Sequence, residues 1–142
     1  MLRLLKEKEE NIAQVLTELV EESAKGTPVL VEGKKDAEAI RILGVEGPIL
    51  TVKTGGKSFF EIATGLENSR TLKVILLLDF DRRGKQGTNR LRQYMERSGM
   101  EVNLNVWRAL LRLVGKDVQC VEGITTYLEN LRLNLAANSK NS

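Results

Sequence analysis

The sequence predicts an α/β fold of about four mainly parallel strands flanked by helices. Two observations carry that prediction. The run Val74-Ile75-Leu76-Leu77-Leu78 is unbroken in aliphatic residues and bounded by charge, the pattern of a strand buried on both faces of a parallel sheet. Runs of this kind alternate along the chain with segments of helical periodicity, the order that builds βαβ units.

The elements follow in turn. Lys6 to Lys25 reads as an amphipathic helix, with Ile12, Val15, Leu16, Leu19 and Val20 at helical spacing and Gly26 with Pro28 ending it. Val29-Leu30-Val31-Glu32 is a short strand running into Gly33. A helix opens at Lys34-Lys35-Asp36 and continues through Leu43, turning Ala37, Ile40 and Leu43 inward. Ile49 to Lys53 is a second strand, followed by the loop Thr54 to Ser58 and a helix from about Phe59 to Leu66. The third strand is the aliphatic run above. After Gly84 a helix is expected from about Thr88 to Arg97, burying Leu91, Tyr94 and Met95, with Ser98-Gly99 closing it. Val102 to Trp107 alternates apolar and polar residues and reads as a fourth strand nearer an edge. Ala109 to Val114 is a short helix. Val121, Ile124, Leu128, Leu131 and Leu135 form the seam of a last helix over 121–137, which serves as core or meets its copy in a homodimer. Asn138 to Ser142 is expected to fray.

A length of 142 residues suits one domain over 1–142 with a core of ordinary size. The absence of histidine excludes Ser-His and Cys-His nucleophilic catalysis and imidazole ligation. A single cysteine, Cys120, excludes an intrachain disulfide and a cysteine-based zinc site. No apolar run suggests a signal peptide or a membrane span, so the expectation is a cytoplasmic protein with no membrane partner. The net charge of +3 says little, but its distribution is uneven. Between Arg82 and Arg97 six bases (Arg82, Arg83, Lys85, Arg90, Arg92, Arg97) stand against Glu96 alone, directly after a pair of aspartates. Cations beside metal-binding acids suit a phosphate-bearing substrate. A solvated helix face would give the same pattern.

The chemistry concentrates at strand ends. Asp79 and Asp81, two apart, follow the third strand, where residues so spaced point to one side and can grip a hard cation. Glu32 follows the first strand, either at a site mouth or paired with a lysine. Gly55-Gly56-Lys57 follows the second. That loop fails the P-loop pattern, because Thr51 stands where a glycine is needed, but two glycines before a helix can present N–H groups to an anion. A flexible turn is the other reading. In a parallel sheet all three loops lie at the same edge, where ligands of open α/β sheets collect.

Val31-Glu32-Gly33-Lys34-Lys35-Asp36-Ala37, followed by Asp79-Phe80-Asp81-Arg82-Arg83-Gly84, resembles the Toprim domain. That family is shared by topoisomerases, bacterial-type primases, ribosomal-RNA maturation nucleases, overcoming-lysogenization-defect nucleases and recombination-repair proteins. Its pattern is Glu-Gly after the first strand and Asp-x-Asp-x-x-Gly after a later one. The likeness covers roughly Pro28 to Trp107, a core of 28–107 on which the helices 6–25 and 121–137 would pack.

The resemblance implies a Rossmann-like three-layer Toprim fold and Mg²⁺-dependent (or Mn²⁺-dependent) phosphodiester chemistry on RNA or DNA, as nuclease or nucleotidyl transferase. It implies that Asp79 and Asp81 hold the metal and that Glu32 is a further ligand or general acid/base. Lys34, Lys57, Arg82, Arg83 and Lys85, with Gly55 and Gly56, would contact the phosphates. Crowding of three acids is expected to raise the pKa of one, which would suit Glu32 to proton transfer. Tyr94 and Tyr127 lie on apolar helix faces rather than standing as topoisomerase nucleophiles, and a primase zinc module has no room, so the likeness is to small stand-alone Toprim proteins. The alternative is a non-catalytic module that binds metal and nucleic acid and acts with a ribonucleoprotein or protein partner.

Overall fold

The computed structural model describes residues 1–53 and 58–140. The elements are α1 (Leu2–Ala24), β1 (Val29–Val31), α2 (Lys34–Ile42), β2 (Ile49–Thr51), α3 (Phe59–Asn68), β3 (Lys73–Leu77), α4 (Arg82–Arg97), β4 (Glu101–Asn103), α5 (Asn105–Val114) and α6 (Val121–Lys140). The strands form one all-parallel sheet in the order β2-β1-β3-β4. Val31 lies opposite both Thr51 and Leu77, and Ile75 lies opposite Asn103. The fold is α/β and Rossmann-like, a central sheet between two helical layers.

The period of two along each strand divides the core. Val29, Val31, Ile75 and Leu77 point to one face, where Ile12, Leu16 and Leu19 of α1, Ile40 of α2, Leu110 and Val114 of α5, and Ile124 and Leu128 of α6 cover them. Leu30, Val74, Leu76 and Leu78 point to the other, under Ala63 and Leu66 of α3 and Leu91 and Met95 of α4. β1 and β3 are central and, from Val74 on in β3, buried on both sides, which is why Val29–Val31 and residues 74–77 are continuously aliphatic. The α6 seam is spent on this core: Val121, Ile124, Leu128 and Leu131 are all buried within the chain.

The larger departures from the sequence reading lie at the chain's two terminal helices and around α4, β4 and α5. α1 begins at Leu2 rather than Lys6, because Leu5 also packs on the core. α6 continues to Lys140, beyond the expected fraying point. β4 is only Glu101–Asn103, an edge strand, and Val106 and Trp107 belong to α5. Their true partners are Leu110 and Val114, a helical spacing that the alternation before them disguised. α4 begins at Arg82, one turn and a half before the expected Thr88. Gly84 reads as a breaker in sequence, yet it lies inside the first turn.

Candidate functional site

The chain leaves β1 for β2 through α2, on one face of the sheet, and leaves β3 for β4 through α4, on the other. The carboxyl ends of these adjacent strands therefore part, and a crevice opens between them at the topological switch point. Glu32 is the residue after β1 and Asp79 the second after β3. Topology alone brings together two acids 47 positions apart in the chain (79 − 32).

Local bonds hold the crevice. Trp107 donates its indole N–H to the Leu78 carbonyl at 2.9 Å, and Phe80 N–H donates to Gln119 O at 2.7 Å. The end of β3 is thus tied to α5 and to the segment that leads into α6. Asp81 is the N-cap of α4, its Oδ1 accepting the Gly84 N–H at 2.7 Å. The turn is so tight that a Cβ on Gly84 would lie 2.0 Å from the Asp79 carbonyl oxygen, so only glycine fits. Asp-x-Asp-x-x-Gly is therefore a strand end, a helix cap and a closest approach in one hexapeptide.

Glu32 and Asp79 are only partly exposed, and Glu32 Oε2 and Asp79 Oδ1 are buried with no hydrogen-bond partner among the described residues. Glu32 Oε1 has Lys53 Nζ at 4.0 Å, a loose ion pair on an exposed lysine. Burial pushes the Glu32 carboxyl above its ordinary value, with Lys53 and the Asp79 amide opposing the rise and Asp81 and Asp36 adding to it. Burial, then Glu32, then Asp36 push Asp79 up to about 6, against the pull of Lys53. The rise expected of Glu32 thus falls on Asp79 as well.

Asp36, to which sequence reading gave no role, is buried and shapes the same region. Its Oδ2 accepts the Gly33 N–H at 3.2 Å, and its Oδ1 accepts the Glu122 N–H at 2.9 Å. It therefore pins the turn after Glu32 and the first turn of α6 together. The first role was legible, since an acid three residues after a helix cap is a capping signal; the second, across 86 positions, was not. Asp36, Cys120 and Glu122 offer ligand atoms within 4.8 Å of one another, a spacing that could hold an ion. Asp36 is already engaged on both oxygens, and burial pushes the Cys120 thiol up, away from the thiolate a metal prefers. Glu32, Asp79 and Asp81 do not close to that spacing. They follow two adjacent strands, and the oxygens without a partner among the described residues are on Glu32 and Asp79.

Beside the crevice a groove of about 550 Å³ runs between α3 and α4, lined by Glu32, Phe59, Arg83, Gln86, Asn89 and Arg90. Of the basic candidates, Arg83 lines it; Lys34, Arg82 and Lys85 are exposed outside it. Arg90, noted in sequence only as part of the basic stretch, joins Arg83. Lys57, Gly55 and Gly56 lie outside the described residues. Arg82, Arg83 and Lys85 all fall in the first turn of α4, which holds no acid. Cations there oppose the helix dipole at about 0.3–1 kcal/mol each. Among the described residues, none of the three has a carboxylate within ion-pair distance. Tyr94 and Tyr127 are half-buried, Tyr94 edge-on to Phe60 and Tyr127 under Lys8.

No family model matches the chain. A UPF0292 protein of Methanosarcina barkeri is 32% identical over 140 residues, covering 98% of this chain and 95% of that one. A UPF0292 protein of Methanocaldococcus jannaschii is 34% identical over 125 residues, covering 87% and 94%. A solved structure of an Aquifex aeolicus protein superposes with a TM-score of 0.65 at 24% identity, over 78% of this chain and 94% of that one, which supports the fold. Among the described residues, no helix is long and apolar enough to cross a membrane.

Proposed function

We propose that this chain, which belongs to the UPF0292 family, is a Toprim-type metal-dependent enzyme that breaks or transfers phosphodiester bonds in nucleic acid. One observation carries the reading: two buried carboxylate oxygens, Glu32 Oε2 and Asp79 Oδ1, have no hydrogen-bond partner among the described residues at the switch point of a parallel sheet. A buried acceptor without a donor costs about 1–3 kcal/mol, and more if charged. A cation supplies what the described residues lack.

Mg²⁺ suits the donor set, since it takes oxygen ligands, needs only one or two carboxylates and keeps several waters. Asp79 and Glu32, the two acids with bare oxygens among the described residues, would hold it; Asp81, engaged in capping α4, would reach it only through a water. Bound there, Mg²⁺ supplies neutralisation of charge building on phosphorus and its leaving oxygen. Mn²⁺ fits the same oxygens. The chain's own residues do the rest. Arg83 and Arg90 hold phosphate oxygens along the groove, while Arg82, Lys85 and Lys34 attract the polyanion from outside. In a site where Asp79 alone holds the ion, Glu32, whose carboxyl burial pushes above its ordinary value, would instead hold or pass on a proton. A cytoplasmic location goes with a nucleic-acid substrate.

Calorimetric titration with Mg²⁺, run beside cleavage assays on structured RNA, single-stranded DNA and duplex DNA, tests the reading. We expect specific uptake by the native protein, none by Asp79→Asn, and metal-dependent products lost in that variant. Equal uptake by both proteins would defeat it. The cations in the first turn of α4, without a carboxylate at ion-pair distance among the described residues, favour a second reading, a non-catalytic module that binds nucleic acid with a ribonucleoprotein or protein partner. Arg82→Gln with Lys85→Gln should then weaken nucleic-acid binding and reduce its salt slope by about 1 per lost phosphate contact, with no metal-dependent product from either protein.

A further inference from the structure

We infer that the groove between α3 and α4 is a subsite for one unpaired base of a single-stranded nucleic acid, which rests on the reading above and adds strandedness to it. Phe59, the first residue of α3, lines the groove with its ring braced from behind: a Cβ on Gly87 would come within 3.1 Å of Cζ. The missing side chain at position 87 is what admits the ring. The Arg90 guanidinium lies 6.0 Å from the ring centroid. A base sandwiched between the two needs about 7 Å, two contacts of roughly 3.5 Å. An exposed arginine on a flexible stem supplies that small opening.

Gln86 and Asn89 bring side-chain amides to the same lining, Gln86 with a donor and an acceptor for a base edge and Asn89 with its NH₂ group, its Oδ1 already accepting from Arg92 at 2.8 Å. Arg83 and Arg90 supply charge for the neighbouring phosphates. A base inside a duplex is covered on both faces by its neighbours, so a single braced ring can stack only on a base out of the helix. The groove volume of about 550 Å³ is of small-ligand size and cannot admit a duplex. Glu32 lines the groove too, so a strand seated here passes its backbone beside one of the two acids of the proposed metal site.

The test uses the full chain, with Ca²⁺ in place of Mg²⁺ to hold back cleavage. Short RNA and DNA strands carry one 2-aminopurine, whose fluorescence is quenched on stacking. We expect quenching on the native protein. Phe59→Leu, which keeps an apolar side chain but no ring, should lose the quenching and roughly tenfold in affinity, and Phe59→Tyr should keep both. Unchanged quenching and affinity in Phe59→Leu would overturn the inference. So would displacement of the strand by a duplex or a nucleoside monophosphate as readily as by unlabelled strand, or no binding of any strand. If Phe59→Leu fails to fold, Arg90→Gln on the exposed face decides: a several-fold loss of strand affinity is expected, and unchanged affinity and salt dependence defeats the subsite. None of these readouts needs turnover. Phe59-dependent binding without metal-dependent products would leave the subsite standing while catalysis falls; metal uptake with binding indifferent to Phe59 would do the reverse.

Discussion

Asp79 ionises against its surroundings, and that has a consequence for stability. Its carboxyl titrates at about 6 in the fold against an ordinary 3.8. Between these values the folded chain holds a proton that the unfolded chain has released, so stability falls as pH rises through that window. Asp79→Asn removes the penalty. In urea denaturation the variant should gain on the order of 1 kcal/mol at pH 7, after allowance for solvent screening, and lose less stability than the native protein between pH 4 and pH 6. Mg²⁺ should raise the melting temperature of the native protein and leave the variant unmoved. An equal pH dependence in both proteins would remove Asp79 as its source. Gly84→Ala tests the same turn from the other side. Its Cβ would meet backbone 2.0 Å away, which cannot give as a side chain can. We expect a loss of about 2–3 kcal/mol by denaturant melt and weaker Mg²⁺ uptake, because relief of the overlap must move Asp79. The spacing of Asp79, Asp81 and Gly84 was legible in sequence. The reason for the glycine was not, because an approach to a carbonyl across the turn leaves no trace in composition.

Elements show a similar division. β1 and β3 were legible because burial on both faces leaves Val29–Val31 and residues 74–77 wholly aliphatic. The start of α4 was not, because Arg82-Arg83-Gly84-Lys85-Gln86-Gly87 has no apolar periodicity and carries two glycines among its better helix formers. The cap explains why it is helical all the same: Asp81 takes the Gly84 N–H, Gly84 fits against Asp79, and Thr88 Oγ1 bonds back to Gly84 O at 2.7 Å. Asp36 plays a comparable part between α2 and α6. Asp36→Ala frees two backbone N–H groups in a part-buried place, at a cost of about 2–4 kcal/mol by denaturant melt. It also removes one of the charges that raise Asp79, so the pH dependence of stability should weaken in the variant. If Asp36 were instead chiefly an ion ligand, Asp36→Ala would abolish Mg²⁺ uptake while leaving stability without metal unchanged.

At the scale of the whole molecule, the switch point depends on both helical layers. The resemblance read from sequence ends at about Trp107, and a core of 28–107 includes all four strands. It omits α1, most of α5 and all of α6, which cover the face of Val29, Val31, Ile75 and Leu77. Four fully buried side chains would meet water in such a fragment, at about 1.5–3 kcal/mol each. That sum is comparable with the 5–15 kcal/mol net stability of an ordinary domain. The fragment would also lose the Trp107 indole from its place between α5 and Leu78, and the Gln119 carbonyl that accepts from Phe80. We therefore expect residues 28–107 to be unfolded or aggregated by circular dichroism and to take up no Mg²⁺, while the full chain melts in one cooperative transition with coincident far-ultraviolet and tryptophan signals. The single tryptophan makes that comparison direct, since it reports from the end of β3. Two separated transitions, or a folded fragment that binds metal, would mean that the crevice is built by the strands alone and that the outer helices only decorate it.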